Sequence, residues 1–429
     1  MRFLLALLVT WLSAALAASA VATAQEQPPP APPEPAAAAP AREPFEPLFL
    51  GYQTEPAMDY GGRVVVSAHD ALSHAFGRLG NVAEDHPGLA PVWEFPLGAG
   101  LLLVQHEVLG HGGRGREFGL GPSYSFGFFA AATGTKRAPE DHEQLALLAA
   151  GGVEADGVLG HRLLLDALRE EGVDGSRLPL AMMAKLDLTL YVSSAPRPRP
   201  GDDKGGFTHE YRHGNDMVLY LVGRQASRFG APAEAVWNGD YEPDFDERLL
   251  HDSWHDARVA AAWNLLDPSL AAAMVAYFRQ HLLHGETRVH APALRLGQSA
   301  RLTVGTRAAL GPQEISRFLD VDVAFPWAVV DVYLRDLDSS VDRTYGYGAA
   351  LHQLRLGPVA LSLAGDVWDV PRATEGLEPS SGWNASVEAE AMLGRFGVAL
   401  KVGKKSDGFF PGLPRDAGTY AGAGVLAIW

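Results

Sequence analysis

Near residue 299 the spacing of apolar residues changes from a helical period to a strand period, and the two halves cannot share one architecture. Upstream, His142–Glu171 carries Leu145, Leu147, Leu148, Leu159, Leu163, Leu164, Leu165 and Leu168 at the intervals of amphipathic helices. Asp216–Gly230 and Glu247–Leu283 read the same way, with Pro268 breaking the second into two. Downstream, Leu319, Val321, Val323 and Phe325 alternate with Asp320, Asp322 and Ala324, and similar alternation recurs to the end. Eight strands are expected, at 301–310, 317–325, 328–335, 344–356, 358–369, 383–393, 395–403 and 418–429. The fold class is therefore segregated α+β: a mainly helical, zincin-like part over 49–298 and an antiparallel β part over 299–429.

An even number of antiparallel strands about ten residues long is the size of a small outer-membrane barrel. A chain ending on Trp429 resembles the terminal strand of such barrels. An eight-stranded barrel is the first expectation. The alternative is a soluble sandwich, or a half-barrel covering the helical part.

Composition narrows the chemistry. The 429 residues hold 51 Asp+Glu against 35 Lys+Arg, a formal charge of −16, which argues against a nucleic-acid partner. The acidic excess reads as solubility, with Asp320, Asp322, Glu388 and Glu390 on the polar faces of strands. There is no Cys and there are 15 His, so a metal site must be built from imidazole and carboxylate. Residues 1–24 have the layout of a secretory signal: Arg2, the apolar run Phe3–Val9, then Ala22-Thr23-Ala24. Residues 25–48 form a Pro/Ala-rich spacer. The expected location is the outer membrane or periplasm of a Gram-negative bacterium.

The chemistry is concentrated in Leu101-Leu102-Leu103-Val104-Gln105-His106-Glu107-Val108-Leu109-Gly110-His111-Gly112-Gly113. Zinc hydrolases use His-Glu-x-x-His because residues four apart share one helical face. Here the histidines are five apart, a rotation of roughly 140° on a regular α-helix. A single π-turn restores a common face, and Gly110 is a place where the backbone could widen.

The segment His106–His111 resembles the His-Glu-x-x-Gly-His motif of the dipeptidyl peptidase III family of zinc peptidases. That resemblance implies zinc on His106 and His111, Glu107 activating water, and a third ligand from a downstream Glu-Glu-x-x-Ala-Asp-type segment. Gly151-Gly152-Val153-Glu154-Ala155-Asp156 matches it at Glu154, with Val153 in place of the first glutamate. The layout also resembles exported bacterial proteins of uncharacterised function that have a His-Glu-x-x-Gly-His-Gly helix, a Gly-Gly-x-Glu-Ala helix, a Gly-Asn-Asp segment and a β-rich C-terminus.

The remaining candidates are supporting residues. Asp156 is placed to orient a metal-binding histidine. His209, Tyr211 and His213 are candidate donors to an oxyanion, or members of a solvated loop capped at Asn215 or Asp216. Arg114 and Arg116 either hold a substrate carboxylate or face solvent. His251 and His255 offer a second metal pair or a polar helix face. The expected function is an exported Zn2+-dependent hydrolase acting on a peptide or protein. The alternative is an outer-membrane structural or binding protein with a stabilising or vestigial metal site.

Overall fold

The structure, a computed structural model, describes residues 48–428 apart from 81–86, 128–130, 171, 199–205, 241–246, 291–292, 298–299, 340–341 and 372–379. The leader, most of the spacer and Trp429 lie outside the described residues.

The chain opens on a strand, β1 (Leu48–Gln53), followed by α1 (Met58–Gly80). Next comes α2 (Pro91–Val104), which continues through a π-helical segment (Gln105–His111) into one more α-helical turn (Gly112–Glu117). A hairpin of β2 (Pro122–Phe126) and β3 (Ala131–Thr135) precedes α3 (His142–Arg169). The helical part ends with α4 (Leu178–Ser194), α5 (Phe207–Arg212), α6 (Asp216–Phe229), α7 (Ala233–Trp237), α8 (Glu247–Leu265) and α9 (Pro268–Ala276). A second π-helical segment (Tyr277–Leu283) extends α9, and β4 (Val173–Asp174) pairs with β5 (Arg288–Val289).

Local signals place the helix ends. Asp141, Asn215 and Asp267 cap α3, α6 and α9 by accepting from Gln144 N, Val218 N and Ser269 N. Gly230 closes α6 at φ 66, the left-handed conformation that glycine adopts without a Cβ clash. The helical core forms where α3, α4, α6 and α8 meet, around Leu145, Leu188, Val218, Leu221 and Ala257.

The β part is an antiparallel meander of β6 (Leu294–Leu296), β7 (Ala300–Leu310), β8 (Glu314–Phe325), β9 (Ala328–Ser339), β10 (Arg343–Leu356), β11 (Val359–Val370), β12 (Ser380–Leu393), β13 (Phe396–Lys405) and β14 (Gly418–Ala427). All eight expected strands are present, β7 to β14. They do not close on one another. The ten-stranded sheet runs β1-β14-β13-β12-β11-β10-β9-β8-β7-β6, so β1 pairs with β14 and the barrel gives way to an open sheet. The segment assigned to the start of the helical part thus supplies the sheet with a strand.

The sheet wraps the helices with its polar face inward. Arg63 of α1 pairs with Glu388 and Glu390 of β12, and Lys401 of β13 donates to Asp59. Leu164, Leu165 and Leu168 of α3 pack on Ala324 and Val329. Asp320, Asp322 and Glu388 are buried, and so do not supply the solvent-facing charge expected of them. A cavity of ≈ 210 Å³ separates α3 from the inner faces of β9 to β14.

Candidate metal centre

The π-helical segment supplies the centre. Its wider turn brings His106 and His111 to one side, with ring centroids 4.9 Å apart. Ligand atoms of His106, Glu107 and His111 lie within 4.8 Å of one another, and all three residues are buried. The five-residue spacing therefore becomes compatible with one metal ion.

Glycines let α3 approach this segment at backbone contact. A Cβ on Gly110 would meet Gly151 O at 2.5 Å and Gly152 Cα at 2.6 Å. Gly110 is thus required by helix crossing, a different reason from the widening inferred from sequence. A Cβ on Gly152 would meet His106 Nε2 at 2.2 Å, so this glycine vacates the space at that nitrogen.

Each imidazole is held by its Nδ1 side. His106 Nδ1 lies 2.8 Å from Asp156 Oδ2 and 3.3 Å from Asp187 Oδ2, while His111 Nδ1 lies 2.6 Å from Leu148 O. A carbonyl only accepts, so His111 Nδ1 carries the proton, and the carboxylates favour the same tautomer for His106. Both Nε2 atoms are buried without a hydrogen-bond partner. Such anchoring of the far nitrogen is how metal-binding histidines are oriented.

The charges around them are strongly coupled. Burial opposes protonation of His106, but hydrogen bonds to Asp156 and Asp187 outweigh it and raise the imidazole well above its ordinary value. Burial and then the Asp187 charge push Asp156 well above the usual carboxylate range. For His111, burial is likewise overcome by Asp216. Asp216 itself resists burial and sits below the ordinary range because of His111. A divalent cation held here would supply the positive charge that these carboxylates otherwise draw from protons.

Asp216 is the carboxylate facing His111 Nε2, with Oδ2 at 3.3 Å. Two ligands on one tetrahedral ion with bonds of about 2.0–2.1 Å are about 3.3–3.4 Å apart. Tyr191 donates to the same oxygen at 3.0 Å, and its ring lies 5.0 Å from that of His106. Burial, then Asp216, raises the Tyr191 hydroxyl, which keeps it a donor. Thr133 Oγ1 lies 2.8 Å from Glu107 Oε2 and 2.9 Å from Glu107 O, and donates to one at a time. A second convergent group, His106 with Asp156 and Asp187, uses the other side of the same ring.

Other expected residues sit elsewhere. Glu154 does not join the histidines: its oxygens take Arg114 Nη2 at 2.5 Å, Arg114 Nε at 3.0 Å and Gly412 N at 2.7 Å. Arg114 is fully buried in that pair, and Arg116 is bound to Glu55 and Tyr124. Arg114 is sealed from solvent, and Arg116, 32% exposed, is already paired. Tyr211 donates to Val236 O in the core, and His213 lies against His209 O on the surface. Asn215 is the helix cap, which frees Asp216 to point into the centre. His251 lies against Arg197 rather than pairing with His255 on a metal. Sequence reasoning missed Asp187, Tyr191 and Thr133. A carboxylate at 187 inside the apolar run of α4 was the available signal.

Comparison with family models, curated proteins and solved structures finds no match to this chain.

Proposed function

We propose that this protein is an exported Zn2+-dependent hydrolase acting on peptide bonds. The observation that carries the reading is the π-turn: two histidines with bare Nε2 atoms, Nδ1 atoms tied down, and Glu107 between them. His106, His111 and Asp216 are the ligands this reading favours, with the third ligand, a carboxylate, coming from α6 instead of Glu154. Bound metal supplies Lewis acidity and a water made acidic near neutral pH. Glu107 accepts a proton from the attacking water, and Thr133 holds its carboxylate in place. Tyr191 is the nearby hydroxyl that donates to developing negative charge on the substrate carbonyl oxygen. The Asp216 side chain, 27% exposed, marks the approach from solvent. The exposed β2–β3 hairpin beside Glu107 offers strand edges on which an extended peptide can pair.

His106, Glu107 and His111 follow the resemblance to dipeptidyl peptidase III, whereas Glu154 does not, and the leader-like N-terminus supports export. Glu107→Gln tests the chemistry: metal content by plasma mass spectrometry stays at the wild-type level while cleavage of quenched fluorescent peptides disappears. Wild-type cleavage rates in that variant would sink the proposal. Burial of His106, Glu107 and His111 favours a second reading, a metal centre that only stabilises the fold. In that case chelation lowers the melting temperature, but no peptide is cleaved by either form.

A further inference from the structure

The sheet is inside out for a protein surrounded by water. Its inner face buries Asp320, Arg335, Asp366 and Glu388, while its outer face is apolar. One cross-strand row reads Leu319, Leu334, Tyr347, Val367, Trp383, each directly opposite the next and each exposed. The pattern continues through Val387, Val402 and Ala421 to Leu50 of β1, opposite Val425.

Between the strand ends, the outward positions of β8 to β14 are aliphatic, glycine or aromatic. Charge returns at the two rims. Arg317, Asp336, Arg343 and Lys404 mark one, and Arg355 and Arg395 the other. At about 4.8 Å between strands and about 3.4 Å per residue, the band covers on the order of 1,000 Å², above the few hundred usual for a monomer surface.

We propose that this face is seated against the acyl chains of a lipid bilayer. A second protein copy is the competing occupant, and side-chain chemistry argues against it. Protein interfaces of this size carry about one hydrogen bond per 100–200 Å², whereas this band offers scarcely more than tyrosine hydroxyls. Exposed aromatic residues lie toward both borders: Tyr345, Tyr347 and Trp383 by one, Trp327 and Phe396 by the other.

Hydrocarbon also demands that sheet edges be satisfied. Here helices cover part of each side. Phe49 N, on the edge of β1 away from β14, donates to Ser67 Oγ of α1 at 2.8 Å. At the opposite end the short β6 pairs only with the start of β7, and further along β7 α8 lies beside it, where Thr306 Oγ1 donates to Trp263 O at 2.8 Å. No single helix among the described residues is long and apolar enough to cross a membrane; Leu250–Leu265 with Pro268–Leu283, bent by 48°, is so only as a broken pair. The leader and spacer join at Leu48, on this same sheet. The inference is independent of the metal centre.

The test is flotation of the purified full-length protein with phosphatidylethanolamine–phosphatidylglycerol vesicles. Wild type is expected to float, as is the control triple variant Val92→Lys, Leu190→Lys, Leu283→Lys on the helical side. The triple variant Leu334→Lys, Leu363→Lys, Leu400→Lys is expected to float more than about tenfold less, because each lysine faces hydrocarbon. In parallel, vesicles with brominated acyl chains should quench tryptophan emission, and Trp327→Phe with Trp383→Phe should remove most of that quenching. The second readout stands if the lysine variant fails to fold. Failure of wild type to float, or unaltered quenching in the tryptophan variant, overturns the proposal. A defined dimer in detergent-free buffer that ignores vesicles overturns it in favour of a second copy.

Discussion

Gly152→Ala tests the metal centre at its tightest point. The added methyl would lie 2.2 Å from His106 Nε2 and 2.4 Å from both Cδ2 and Cε1 of that ring. The ring cannot simply yield, because its Nδ1 is held by Asp156 and Asp187. Gly157→Ala on the same helix is the internal control, since its methyl meets nothing within 4 Å. Both substitutions gain about 1 kcal/mol of helix propensity. Forcing a methyl into a filled site costs about 1–3 kcal/mol. Propensity cancels between the two variants, so the difference in stability is the clash itself, about 1–3 kcal/mol. The route of relaxation decides where the loss is seen. If the helices separate, it is seen in guanidinium denaturation of the metal-free protein. If His106 swings out, it is seen as metal affinity, with a fall of at least about 100-fold by competition against a chromophoric chelator. Gly157→Ala should raise stability and leave metal affinity unaltered. Gly152→Ala matching Gly157→Ala in both measurements would refute the placement of His106 against α3.

Glu154→Gln leaves the fully buried Arg114 short of its counter-charge, so stability should fall by about 3–5 kcal/mol in denaturant while the folded fraction keeps its metal stoichiometry. Loss of metal at unaltered stability would restore Glu154 as a ligand. Asp156→Asn removes the charge that orients His106, and titration calorimetry should show metal affinity reduced about 10–100-fold. Tyr191→Phe also removes a hydrogen bond to Asp216, so at saturating metal it should lower kcat by about 100-fold with little effect on KM, as expected of a donor used in the transition state. A KM effect alone would place Tyr191 in substrate binding. A chain cut after residue 298 loses the partners that Gly412 and Leu413 give to Glu154 and Arg114, and should lack a cooperative unfolding transition.

Much of the fold was legible because periodicity is local. The strand expected at 383–393 is Ser380–Leu393, and the break at Pro268 falls between α8 and α9. The π-turn was legible for the same reason: two histidines and a glutamate with one residue too many have few ways to meet. Alternation specifies two faces of a strand but not which one meets solvent, so the burial of Asp320 and Asp322 was hidden. Closure was hidden too, because β1 pairs with β14 across almost the whole chain. The third ligand failed for a tertiary reason. Glu154 stands where the resemblance to the peptidase motif suggests, but Arg114 lies fully buried beside it and claims the carboxylate. Asp216 looked like a capping residue, and only the position of α6 turns it toward His111.

The Glu154–Arg114 pair explains why the two halves need each other. Arg114 stands three residues after His111, on the turn that ends the helix carrying both histidines. It donates to Glu154, Glu117 and Leu413 O, and Gly412 N donates to Glu154 from the other side. Residues 412 and 413 belong to the β13–β14 connection, so this loop of the sheet reaches into the helical part and locks its last turn against α3. Arg415 of the same connection binds Asp141, the cap of α3, and its backbone N donates to Glu117. Two helices that cross through glycines have little side-chain interdigitation to hold their register. Here a buried ion pair and a loop from the sheet perform that task, three residues from His111 on one helix and two from the Gly151-Gly152 contact on the other. The β13–β14 connection therefore helps to fix how the helix carrying His106 and His111 sits against α3, which carries Asp156.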